Sequence, residues 1–71
     1  MSKEMAFAVF CLESYKTHRN LSGREASLLF ESYGVFDYIR DVYDVLHTMG
    51  HHYINHDIDV YLRTRGYVIN E

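Results

Sequence analysis

The stretch from Met5 to Tyr15, MAFAVFCLESY, most constrains what this chain can become. It holds Ala, Met, Leu and Glu with neither Gly nor Pro, which favours helix over strand at this length, and Ser2 can cap it. At 100° per residue its apolar residues Met5, Phe7, Val9, Phe10 and Leu12 point in nearly every direction. A helix that is apolar all round must be covered on more than one side.

The remaining helices have clearer boundaries. In LSGREA, Ser22 and Glu25 stand at the spacing of a capping box, with Leu21 and Ala26 in the staple positions. The second helix therefore runs from about Gly23 to Tyr33, with Ala26, Leu29, Phe30 and Tyr33 on one face. Gly34 supplies the left-handed residue that ends it, and Val35 can fold back on Phe30. Asp37 is expected to cap a third helix that carries Tyr38, Ile39, Val42, Val45, Leu46 and Met49 on one broad face until Gly50. The short connection makes helices two and three a corner or hairpin. Asn55 is the expected cap of a fourth helix, with Ile54, Ile58, Tyr61 and Leu62 at helical spacing. Asp57 and Asp59 would lie in its first turn, Arg63 and Arg65 at its end, and Gly66 beyond. The tail YVIN could lie extended or form a short β element. The expectation is an all-α fold: a compact bundle of three to four short helices with a short C-terminal tail, one domain over residues 1–71.

At 71 residues the chain is near the lower size limit for a core that outweighs chain entropy unaided, so help from a partner is expected. A hydrophobic content of 48% excludes a disordered chain. The apolar start is interrupted by Glu4 and closed by Glu13 without a small-residue cleavage site, so it is not a signal peptide. No stretch approaches the roughly 18 apolar residues of a membrane span. The lone Cys11, in an apolar run, is expected to be a small buried hydrophobe rather than a nucleophile, and suits a reducing, cytoplasmic setting. A net charge of −3 opposes general attraction to nucleic acid or anionic lipid. Lys16, His18, Arg19 and Arg24 form a basic spot near the first loop, taken as solvated surface.

Four of the five histidines fall in HTMGHHYINH, residues 47–56. On one helix His47 and His51 would share a face, and so would His52 and His56. The two pairs point about 140° apart, so four metal ligands do not converge, and Gly50 interrupts the helix between them. Asp44 and His47 stand at i, i+3 without an activated Ser or Cys or a phosphate loop, so no catalytic residue is assigned and no cofactor is expected. The corner between helices two and three resembles a DNA-binding turn, yet its second helix would offer Asp37, Asp41 and Asp44 against one Arg40. Seven tyrosines exceed what so small an interior can hide, and as a set they favour a partner surface.

The segments FAVFCLESY, LFESYGVFDYI, YDVLHTMG and DIDVYLRTRG, in this order, resemble the domain of unknown function 3791 family. Members of that family look like F-x-V-F-C, L-F-x-x-Y-G-V-x-D-Y-I, Y-D-x-L-H-T-x-G and D-I-x-x-Y-L. The family-like positions are Tyr33, Gly34, Asp37, Tyr38, Tyr43, Asp44, His47, Thr48 and Gly50, whereas His51, His52 and His56 fall outside the pattern. The resemblance implies a stand-alone helical domain without assigned activity, whose genes neighbour those of ADP-ribosyltransferase-like proteins, and hence an antitoxin-like or regulatory partner role.

The expected function is a protein–protein interaction module, acting as a homodimer or on another protein, and neither an enzyme nor a nucleic-acid or membrane binder. Its expected contact residues are Phe7, Phe10, Tyr33, Tyr38, Tyr43, Asp44, His47, Tyr53 and Tyr61. A metal- or His-dependent enzyme and a DNA-binding regulator are the alternatives.

Overall fold

Ser2 opens the first helix as the spacing requires, its hydroxyl accepting the Met5 N–H at 3.1 Å. The computed structural model describes residues 1–69, and among these it is all-helical. The helices are α1 (Lys3–Arg19), α2 (Gly23–Ser32), α3 (Val35–Asp41), the single turn α4 (Tyr43–Leu46) and α5 (His51–Thr64). Helix α1 ends at Asn20, which adopts the left-handed conformation and donates its N–H to the last carbonyls. The capping box at α2 is complete: Ser22 accepts from Glu25 N–H at 3.0 Å, and Glu25 accepts from Ser22 N–H at 2.9 Å. Those bonds hold the Glu25 carboxyl below the usual carboxylate range.

Helix α1 is the axis of the bundle and packs against α2, α3 and α5. Around it close Cys11, Tyr15, Phe30, Val35, Ile39, Leu46, Ile54, Ile58 and Leu62, all buried. The stripe Ile54, Ile58, Leu62 is the inner face of α5, at the i, i+4, i+8 spacing of one helix side. The radius of gyration, 11.2 Å, is that of a closed chain of this length, for which about 11 Å is expected. The molecule thus completes a core by itself.

Three boundaries differ from expectation. Asp37 does not cap the third helix, because Gly34 at φ 68° begins it one turn earlier and leaves Asp37 inside its first turn. The third helix is not continuous either. Val42 leaves helical geometry at φ −106° and ψ 15°, and the bend brings Tyr43 edge-on to Phe7 while Leu46 enters the core. Of the broad face expected there, Val45 and Met49 are exposed. The last helix starts at His51 with Gly50 as its cap residue, so Asn55 is an interior position and Asp59 lies in mid-helix. The tail forms neither helix nor strand over 67–69, and Tyr67 packs back on the core. Asn70, the last residue of YVIN, lies outside the described residues.

Candidate functional site

The polar centre of the molecule joins α1 to α5. Asp59 is buried, and four side-chain donors converge on its two oxygens. The Tyr15 hydroxyl donates to Oδ1 at 2.7 Å, and Arg19 donates through Nε to Oδ1 at 3.1 Å and through Nη2 to Oδ2 at 2.6 Å. His18 Nε2 lies 3.0 Å from Oδ2. One turn earlier Ser14 donates to Asn55 Oδ1 at 3.1 Å. Burial alone would raise the Asp59 pKa, but the bonds from Arg19, His18 and Tyr15 and the Arg19 charge outweigh it and hold the group at about 2. Burial, and then the hydrogen bond to Asp59, push the Tyr15 phenol well above its ordinary value.

This centre corrects the expectation that His18 and Arg19 belong to a solvated basic spot. Of that set Lys16 pairs locally with Glu13 at 2.8 Å and Arg24 is exposed, whereas His18 and Arg19 turn onto Asp59. The signal was present in the spacing. Asn55 and Asp59 are four apart beside the α5 apolar stripe, and Ser14 and His18 are four apart on α1, so two polar strips face each other across the helix pair.

The expected contact residues fall into three groups. Phe10, Phe7, Tyr43 and His47 form one aromatic row, with centroids 6.2 Å, 5.4 Å and 4.5 Å apart in turn, and Lys3 Nζ lies 5.9 Å from the Tyr43 centroid. Tyr38 and Tyr61 stack at 4.2 Å, the Tyr61 hydroxyl donates to the Tyr33 carbonyl at 2.9 Å, and Tyr33 meets Tyr67 edge-on. Asp44 and Tyr53 border a cleft of about 390 Å³ with Tyr38, whose hydroxyl donates to Asp57 at 2.7 Å. Burial and that carboxylate raise the Tyr38 phenol above its ordinary range. The tyrosines do not stand out into solvent as a set: Tyr15 is buried, Tyr53 is exposed, and the other five are half-buried.

His47 turns Nδ1 to the Tyr43 carbonyl at 2.7 Å rather than to Asp44, which is exposed. His51 and His52 open α5, and His56 is exposed further along it. Among the described residues no three His, Cys, Asp or Glu side chains are grouped to hold a metal ion. Arg40 pairs with Asp37 at 3.2 Å and approaches Asp41 at 3.9 Å, so the cation of the would-be recognition helix is occupied by neighbours. Among the described residues no helix is long and apolar enough to cross a membrane.

Exposed apolar side chains are spread over the surface, with Leu28 on α2, Val45 on α4 and Val60 on α5 among them, and α1 carries a group of three. Met5 is 58% exposed, Val9 46% and Phe10 48%. Met5 and Val9, with Ala8, Leu12 and Phe36, line a groove of about 370 Å³ between α1 and α3, and Glu4, Asp37 and Arg40 stand at its rim.

These features describe a small all-helical bundle pinned by a buried polar centre. Residues 6–65 match the family model described as "Protein of unknown function (DUF3791)", and the chain belongs to that family. No match is found among curated proteins or among solved structures.

Proposed function

We propose that this protein is a small interaction module that uses the α1–α3 groove to dock a second polypeptide, and that a second copy of the chain fills that role. The observation that carries the reading is the exposure of Met5 and Val9 in a molecule whose core is otherwise closed. Covering one large apolar side chain is worth about 1.5–3 kcal/mol, so an apolar strip kept in water favours association. The choice of a second copy rests on charge. The rim holds both signs, and although Arg40 pairs with its own Asp37 at 3.2 Å, it stays exposed, so a two-fold axis through the groove can set each Arg40 also against Glu4 of the other copy.

Sedimentation equilibrium from micromolar to millimolar protein tests this. A monomer–dimer equilibrium is expected, with Val9→Glu remaining monomeric and folded by circular dichroism. A strictly monomeric parent protein over the whole range would overturn the reading.

A further inference from the structure

The chain holds four sulfur atoms, in three methionines and one cysteine, and the fold gives them different settings. Cys11 is fully buried, and burial pushes its thiol up to about 12, which closes it to oxidants while the fold is intact. Met1 and Met49 are exposed but do not line the apolar groove. Among the described residues Met5 is the methionine of the groove wall, where it stands with Ala8, Val9, Leu12 and Phe36. Its backbone is fixed, the N–H donating to the Ser2 hydroxyl at 3.1 Å, while its side chain is 58% exposed and is not packed on the core.

A methionine suits a docking wall, because its polarisable thioether adapts to whatever lies against it. The same sulfur is open to oxidation, and the sulfoxide is a polar group with a strong acceptor oxygen. The side chains of Ala8, Val9, Leu12 and Phe36 carry no donor for that oxygen. Closing a second copy over it would bury an unpaired acceptor where an apolar group had been.

We propose that Met5 is an oxidation site that controls docking at the α1–α3 groove, so that conversion to the sulfoxide by a peroxide releases the second copy. The inference rests on the docking reading above and names its regulation. The sulfur lone pair attacks one oxygen of hydrogen peroxide, the S–O bond forms as the O–O bond breaks, and the departing hydroxide takes the proton from the transferred oxygen and leaves as water. Sulfur loses two electrons and the peroxide gains them. In the dimer Met5 is covered, so oxidation proceeds through the free monomer, and each oxidised chain is withdrawn from the dimer. Met5 lies outside the core, so the bundle itself stays folded.

Sedimentation equilibrium of the full chain before and after hydrogen peroxide, with the oxidised residues located by peptide mass spectrometry, tests the assignment. Conversion of Met5 should weaken the dimer by at least about ten-fold, with circular dichroism unchanged. Met5→Leu keeps an apolar side chain of similar size and should give the same dimer constant before and after peroxide, even with Met1 and Met49 oxidised. Met5→Gln, polar from the start, should weaken the dimer without peroxide. The rate of Met5 oxidation should fall as protein concentration rises, while that of Met1 should not. A dimer constant unchanged by full conversion of Met5, or lowered equally in Met5→Leu, overturns this inference and leaves the docking reading standing. A parent chain that is monomeric before peroxide at every concentration overturns the docking reading, and this inference with it.

Discussion

Arg19 grips Asp59 at two points, Nε on Oδ1 at 3.1 Å and Nη2 on Oδ2 at 2.6 Å, and so ties the last turn of α1 to the middle of α5. An ion pair taken out of water gains little over a well-packed apolar pair, because desolvation offsets much of the attraction. Its consequence here is register. With Tyr15 and His18 on the same carboxylate, a slide of α5 by one residue would leave a buried charge without donors. The pair therefore selects one packing of two apolar helix faces that could otherwise meet in several ways.

Removing the carboxylate should be costly for the same reason. Asp59→Ala leaves the Tyr15 hydroxyl, fully buried, and the Arg19 guanidinium without their acceptor. Loss of one partner from a buried pair costs about 3–5 kcal/mol, and since the Arg19 side chain keeps 19% exposure and can reach water, about 3 kcal/mol is expected. Urea denaturation should show the midpoint falling with little change in slope. A loss below about 1 kcal/mol would mean that the centre contributes no more than an exposed pair.

The same carboxylate fixes an acid limb of stability. Its folded pKa, about 2, is below the ordinary 3.8, so the unfolded chain takes up the proton first as pH falls. The stabilisation is fully present above about pH 4 and is lost between about 4 and 2. It amounts to roughly 2 kcal/mol. Melting temperatures across this window should fall for the parent protein, and the Asp59→Asn variant should lack this component of the slope.

Much of the fold was legible because local chemistry and tertiary demand agree. Ser2, Ser22 with Glu25, and Gly34 act within one turn of chain, and each marks a helix end where the residue types require it. The all-round apolar character of α1 foretold its central position. Boundaries decided at a distance were not legible. Asn55 has the chemistry of a cap, but Ser14 on another helix engages it, and α5 begins a turn earlier. Arg19 and Asp59 are forty positions apart, and composition alone places both on the surface. The break at Val42 has no glycine or proline to announce it, and it accompanies a contact between Tyr43 and Phe7, thirty-six positions apart.

Gly34 should be hard to replace. Its φ of 68° is left-handed, and it both follows α2 and caps α3. An added Cβ would meet the Tyr61 hydroxyl oxygen at 3.6 Å, an ordinary contact, so the cost is conformational rather than steric. Gly34→Ala should destabilise by about 1–2 kcal/mol. Gly34→Asn, a residue more tolerant of this region, should cost less, and the ranking can be checked by thermal melts of both variants.

The Tyr61 hydroxyl offers a measure of one tertiary donor, which also lies 3.4 Å from a second acceptor, the Gly34 carbonyl. It donates to the Tyr33 carbonyl at 2.9 Å, just where α2 gives way to α3, while the ring stacks on Tyr38. Tyr61→Phe keeps the stack and removes the donor, so the expected loss is about 1 kcal/mol. Amide exchange should report it locally, with faster exchange around Gly34 and no change at Asp59.

Cys11 should be inert while the fold is intact. Its side chain is fully buried, and burial pushes the thiol pKa up to about 12, so almost no thiolate exists near neutrality. An aromatic disulfide reagent at pH 8 should modify native protein only as fast as the chain opens, whereas urea-unfolded chain should react at the rate of a free thiol. Because modification then follows opening, its rate measures stability without added denaturant. Asp59→Ala should accelerate it in proportion to its loss of stability, about a hundred-fold for 3 kcal/mol. Equal rates in parent and variant would show that Cys11 is reached by a local motion of α1 that does not break the Arg19–Asp59 contact.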